Sequence, residues 1–219
     1  MMAAKKHKRA QEKRVLLCAF LCLFAATMGW SVSYDALIFD AQRYGNTPEK
    51  REAKRIAREE LFARGPDALR EVMQRVHYEN VMMGVLAQEM VEQMEPAEAA
   101  PVLAEFLDSP HARTRRIAVF FMGFHNTPEY ASRIMPLLDD EEVAGAALRT
   151  LGKWKAKEAV PLIVPFLANE REVRRIAAVN ALRDIGDPTV VPLLKPLLED
   201  SFFTVREATK RALGVLRPD

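Results

Sequence analysis

Arg55, Arg116, Arg175 and Arg206 each stand two residues before an alanine that recurs along the chain, at Ala57, Ala118, Ala177 and Ala208. A row of guanidiniums at regular spacing is equipment for holding anions, whether an acidic peptide, phosphate groups or lipid headgroups. The competing use is internal, each arginine reaching back to an acidic turn such as Asp108, Glu172 or Asp200. Aromatic residues add a second kind of contact. Trp154 sits among Lys153, Lys155 and Lys157, and Phe202 and Phe203 fall in an expected turn. Aromatic rings beside charges serve as interface anchors, or else fold back over the edge of their own unit. These seven residues are the candidates for partner binding.

Catalytic and metal chemistry find little support. None of His7, His77, His111 and His125 is followed by glutamate, and no paired carboxylate–imidazole step is present. Met83, Met90 and Met94 share one helical face, the pattern of a packing stripe rather than of a soft-metal site. Both cysteines, Cys18 and Cys22, lie in an apolar run near the start, so the rest of the chain has neither disulfides nor thiolate ligands. Nucleophile-elbow, P-loop and dinucleotide-binding patterns are missing. No cofactor and no metal are expected. The formal charge of +2 is concentrated in residues 1–14, where Lys5, Lys6, Lys8, Arg9, Lys13 and Arg14 face Glu12 alone. The remainder of the chain is net acidic, and nucleic-acid binding is not expected.

The elements that position these residues emerge from a repeat. Ala57, Ala87, Ala118, Ala147, Ala177 and Ala208 are separated by 30, 31, 29, 30 and 31 residues. Each is followed four residues later by an apolar residue, Leu61, Val91, Met122, Leu151, Ala181 and Ala212, which places both on one helical face. Between them runs a second amphipathic series ending at Val76, Leu107, Leu138, Leu167 and Leu198. Each period thus holds two helices, A and B. Thr47–Pro48 starts a helix, Gly65–Pro66 ends it, and Gly186, Asp187 and Pro188 separate two more. Prolines inside the A helices, from Pro101 to Pro196, predict bent A helices.

The stretches EAVPLIVPFLANEREVRRIAAVNALRDIGDP and VVPLLKPLLEDSFFTVREATKRALGVL resemble HEAT repeats of the phycobilisome-lyase type, with their AVP, leucine pair, acidic turn, VR, and AL closing on glycine. The resemblance is strong over 158–216, fair over 96–152, and carried by register alone before that. Gly145 and Val85 stand where the motif has arginine. It implies an all-α, right-handed α-solenoid of antiparallel helix pairs, about five repeats across 48–219, with Pro48 to Arg64 as an N-terminal capping helix. HEAT-like deoxyhypusine hydroxylase binds iron through His-Glu steps, which this chain lacks.

Val15 to Trp30 is uncharged and comes directly after the basic tail, as in a signal peptide or an uncleaved signal anchor. The expectation is a cytoplasmic tail over 1–14, a transmembrane signal anchor over 15–33, with Trp30 and Tyr34 at the far interface, and a linker over 34–47. Cleavage and export is the alternative. The expected protein is a bacterial inner-membrane scaffold whose repeats lie outside the cytoplasm and dock a protein partner without catalysis. The competing reading is a lyase-like or accessory factor acting on a cofactor-bearing protein.

Overall fold

The computed structural model describes residues 32–42, 47–77 and 81–216, and the tail and apolar run over 1–31 lie outside them. Among the described residues every regular element is helical, and no helix is long and apolar enough to cross a membrane. The chain forms two compact units with their boundary between Gln93 and Met94, where the repeat register implies one continuous domain over 48–219.

The first unit holds α1 (Tyr34–Ala41), α2 (Pro48–Ala63), α3 (Gly65–Met73) and α4 (Val81–Gln93). Helix α1 corrects the expected linker. Ser33 caps it by accepting the Ala36 N–H at 3.3 Å, and Leu37 and Ala41 are wholly buried. Arg75 holds Asp35 at 2.9 Å, and Arg58 Nε donates to the Ala41 carbonyl. Thr47 caps α2, whose Ala53, Ala57 and Leu61 form the buried stripe expected of a capping helix. Gly65 adopts a positive φ of 57°, so the chain turns sharply into Pro66 and α3. Met83 and Met90 of α4 are core residues.

The second unit stacks four helix pairs. The A positions are α5 (Pro96–Glu105), α7 (Ala131–Ile134), α9 (Val160–Ile163) and α11 (Val191–Leu194). The B positions are α6 (Ala112–Met122), α8 (Ala144–Lys153), α10 (Glu172–Ile185) and α12 (Phe203–Val215), and each B helix packs on the next. Prolines shape the A helices as the sequence predicts, in a particular way. Pro136, Pro165 and Pro196 each convert the second half of their helix into a 3-10 stretch, Met135–Asp139, Val164–Ala168 and Lys195–Glu199. A proline has no N–H for the i→i−4 ladder, and the tighter turn absorbs its ring. Pro101 leaves α5 α-helical.

Where α8 crosses α10, a Cβ on Gly152 would lie 2.9 Å from the Ala181 Cα, so glycine sets the approach of these helices. Three groups of α8 and its exit bind carbonyls around the end of α6. Thr150 Oγ1 donates to Val119 at 3.0 Å, Lys153 Nζ to Gly123 at 3.1 Å and Trp154 Nε1 to His125 at 2.7 Å.

Candidate functional site

Each B helix of the second unit is preceded by a turn with a short polar residue. Ser109, Asp140, Asn169 and Asp200 accept the N–H two residues on, from His111, Glu142, Arg171 and Phe202. Six residues beyond Ser109, Asn169 and Asp200 come Arg115, Arg175 and Arg206, and all three guanidiniums return to carbonyls of that turn. Arg115 reaches Ser109 at 2.7 Å, Arg175 reaches Asn169 at 2.7 Å, and Arg206 reaches Asp200 at 2.6 Å. Two of them also reach forward into the next repeat. Arg115 pairs with Asp140, and Arg175 forms a two-point bridge to Asp200 at 2.7 and 2.9 Å. Arg175 holds the Asp200 carboxyl below the usual carboxylate range against the opposing effect of burial. At Asp140 burial pushes upward, yet the Arg115 bonds outweigh it and the group is again lowered.

The ladder is therefore internal where the sequence left two uses open, and its register differs from the one read in sequence. Arg116 is not the counterpart of Arg175; Arg115 is. The tetrapeptide RRIA at 115–118 and 174–177 matches in letters but sits one residue out of phase in the fold. Ala118 lines up with the fully buried Ala178, while Ala177 is only half-buried. The turn residues Ser109 and Asn169 were the signal that would have set the phase.

The second turn, at Asp140, has no arginine in the slot. Arg174 of α10 fills the space from the next repeat, its guanidinium bonding the Glu141 carbonyl. A Cβ on Gly145 would come within 2.5 Å of Arg174 Nη1. The glycine that breaks the motif makes room for the substitute.

The other candidates divide. Arg55 belongs to the first unit and is clasped within α2 by Glu52 and Glu59, both at 2.6 Å. Trp154, a candidate either for an interface anchor or for folding back over its own unit, is only 6% exposed. Lys155 takes a positive φ of 54°, and the chain folds the indole back onto the His125 carbonyl, so Trp154 is a structural lock. Phe202 and Phe203 remain exposed at the start of α12, each with one face under an arginine, Arg175 at 5.5 Å and Arg206 at 5.7 Å.

Sequence reasoning missed a second cluster, on the B-helix side. Phe120 of α6 and Phe124 just past its end are 38% and 39% exposed and meet edge to face at 5.1 Å, with Phe121 buried beneath them. Arg149 of α8 lies 5.9 Å over Phe120, and Lys153 5.8 Å over Phe124. Arg116, one turn before Phe120, shares its face. Among the described residues Arg116 and Arg149 make no ion pair, whereas Asp184 and Glu207 on α10 and α12 are held by Arg183 and Lys210. The signal was the motif's own failure: phenylalanines at 120 and 124 on a face where α8 carries Arg149 and Lys153 and α10 carries Asn180 and Asp184.

No group of three or more His, Cys, Asp or Glu that could hold a metal occurs among the described residues. Residues 131–214 match the HEAT repeat family. No curated protein matches the chain. Among solved structures, a designed armadillo repeat protein in complex with the peptide (KR)4 is similar over 85% of this chain and all of its own, at 15% identity and a TM-score of 0.52. Two engineered proteins are also similar: one at 14% identity and a TM-score of 0.53, over 91% of this chain and 96% of its own, and one at 15% and 0.50, over 84% and 58%. At these identities the likeness shows the helical repeat fold. The match spans α7 to α12, with Arg175 and Arg206 of the ladder, while Arg115 and the uncovered Phe120 lie just before it on α6.

Proposed function

We propose that the protein is a membrane-tethered, non-catalytic HEAT-repeat scaffold that docks a protein partner on the B-helix side of its second unit. The observation that carries this is the Phe120–Phe124 pair, two large rings left partly in water and flanked by Arg116, Arg149 and Lys153. Aromatic anchors with cationic neighbours on a rigid repeat are what an interface centre requires. A designed armadillo repeat protein of similar fold holds a peptide, which supports a docking role for this architecture. Phe202 and Phe203 are a secondary contact at the turn edge.

The tether rests on the apolar run of residues 15–33 and its basic flank. In this reading the anchor is single-pass in a bacterial inner membrane, the tail is cytoplasmic and the repeats are extracytoplasmic. Release after signal cleavage is the variant to be distinguished.

Membrane fractionation with protease protection and intact mass tests the tether. Full-length mass in the membrane fraction, with repeats digested only once the outer compartment is opened, is expected; a soluble cytoplasmic chain overturns it. A photo-crosslinking residue at position 124, compared with one at the exposed Leu162 of α9, tests the docking side. Protein adducts at 124 and not at 162 are expected; the reverse overturns the assignment.

A further inference from the structure

We infer that the partner presents an acidic, extended segment, with carboxylates about three residues apart and small apolar side chains between them; this rests on the docking reading above and names its chemistry. The argument is charge complementarity on a defined row. Arg116 and Arg149 are exposed cations on neighbouring helices with no carboxylate of the described residues within ion-pair reach, and Lys153 spends one of its three donors on the Gly123 carbonyl.

Elsewhere in this unit the acids near cations are already engaged: Asp140 by Arg115, Asp200 by Arg175, Asp184 by Arg183, Glu207 by Lys210. A protein that pairs its charges so thoroughly along one edge, yet leaves two guanidiniums and an ammonium around two phenyl rings, lacks their anions on this side. The rings exclude a purely ionic ligand as the best fit. Phe120 and Phe124 offer apolar surface between the cations, so the occupant must supply apolar groups between its charges.

Spacing sets the segment's form. Packed helices lie about 8–10 Å apart, and an extended chain advances about 3.3 Å per residue, so carboxylates three residues apart meet Arg116 of α6 and Arg149 of α8 in turn. The row also argues against a basic partner such as the (KR)4 peptide held by the similar designed protein, since like charges would face each other.

The test is fluorescence anisotropy on the full-length protein in neutral detergent. The probe is a labelled nine-residue peptide, Asp-Val-Ser repeated three times, with Asn-Val-Ser and Lys-Val-Ser repeats as controls. At low salt the Asp peptide is expected to bind at least tenfold more tightly than the Asn peptide, and the Lys peptide not at all. Arg116→Glu with Arg149→Glu is expected to lose at least tenfold affinity, and Phe124→Ser severalfold, with circular dichroism and Tm close to wild type for the charge variant. Raising salt from 50 to 500 mM is expected to weaken binding by a comparable factor.

Equal binding of the Asp and Asn peptides, or unchanged affinity in the double charge reversal, overturns the inference. So does preferential, Arg149-dependent binding to phosphatidylglycerol vesicles, or self-association lost in the same variant. Sequencing of the segment crosslinked at position 124 separates the two readings. A protein segment without acidic residues sinks the acidic partner and leaves the docking side standing, whereas the absence of any protein adduct there sinks both.

Discussion

The turn edge and the B-helix side of the second unit use arginine in opposite ways. Along the turn edge Arg115, Arg175 and Arg206 bind carbonyls of their own turns, and the first two bridge to acids of the next repeat. On the B-helix side Arg116 and Arg149 stand over or beside phenyl rings without an acid partner among the described residues. Residues that recur with the repeat maintain the repeat, because every pair of neighbours must solve the same packing and capping problem. Residues that depart from it have no such duty, and the aromatic pair at 120 and 124 departs from it.

The largest effect that would break this contrast is in the core behind the ladder. Ala178 of α10 is wholly buried, and Ala178→Asp places a carboxylate there without a partner; a loss of at least about 4 kcal/mol, enough to abolish cooperative unfolding, is expected. Ala177→Asp, at the half-buried position that the tetrapeptide had marked as core, is expected to cost less than half as much. Urea unfolding followed by circular dichroism gives both. Equal losses would restore the register of the sequence match.

Next comes the ladder itself. Arg175→Ala removes a two-point bridge and two carbonyl bonds and leaves Asp200 poorly compensated at a site whose side chains are 11% and 10% exposed, for a loss of about 2–3 kcal/mol at pH 7. The pH dependence comes from the lowered Asp200 carboxyl. A group whose folded pKa is depressed adds stability above its unfolded value, near 3.9, and loses it as pH falls through the folded value. The stability gap between wild type and Asp200→Asn is therefore expected to be constant from pH 7 to 5 and to close below about 4. A gap that persists unchanged at pH 2 would mean the bridge contributes nothing through its charge.

Trp154→Phe is a smaller break. It keeps most of the buried ring area but strands the His125 carbonyl, and a loss of about 1–2 kcal/mol is expected from thermal unfolding. No change in peptide binding is expected, which would separate this buried tryptophan from the exposed phenylalanines as a contact residue.

The periods of about 30 residues and the prolines at 136, 165 and 196 made the helix pairs legible, since backbone chemistry acts locally. Three features were not. Helix α1 has only eight residues and no repeat to announce it; what holds it is the burial of Leu37 and Ala41, with contacts from Arg75 and Arg58 some distance along the chain. The burial of Trp154 depends on a left-handed Lys155 that no residue type marks. The phase of the ladder was hidden because RRIA recurs after 59 residues while the turns Ser109 and Asn169 recur after 60. A helix turns by about 100° per residue, so a slip of one moves an arginine from the turn edge to the solvent face.

The smallest expected effect is also the most discriminating. Arg115 and Arg116 are adjacent, share charge and size, and differ only in the face they occupy. Arg115→Ala forfeits the Ser109 carbonyl bond and the Asp140 pair, for about 1.5 kcal/mol, while Arg116→Ala is expected to shift stability by no more than about 0.5 kcal/mol and to weaken the acidic peptide instead. If stability followed Arg116 and binding followed Arg115, the two sides of the unit would have to exchange roles, and the sequence repeat rather than the turn geometry would be the better guide to which arginines meet a partner.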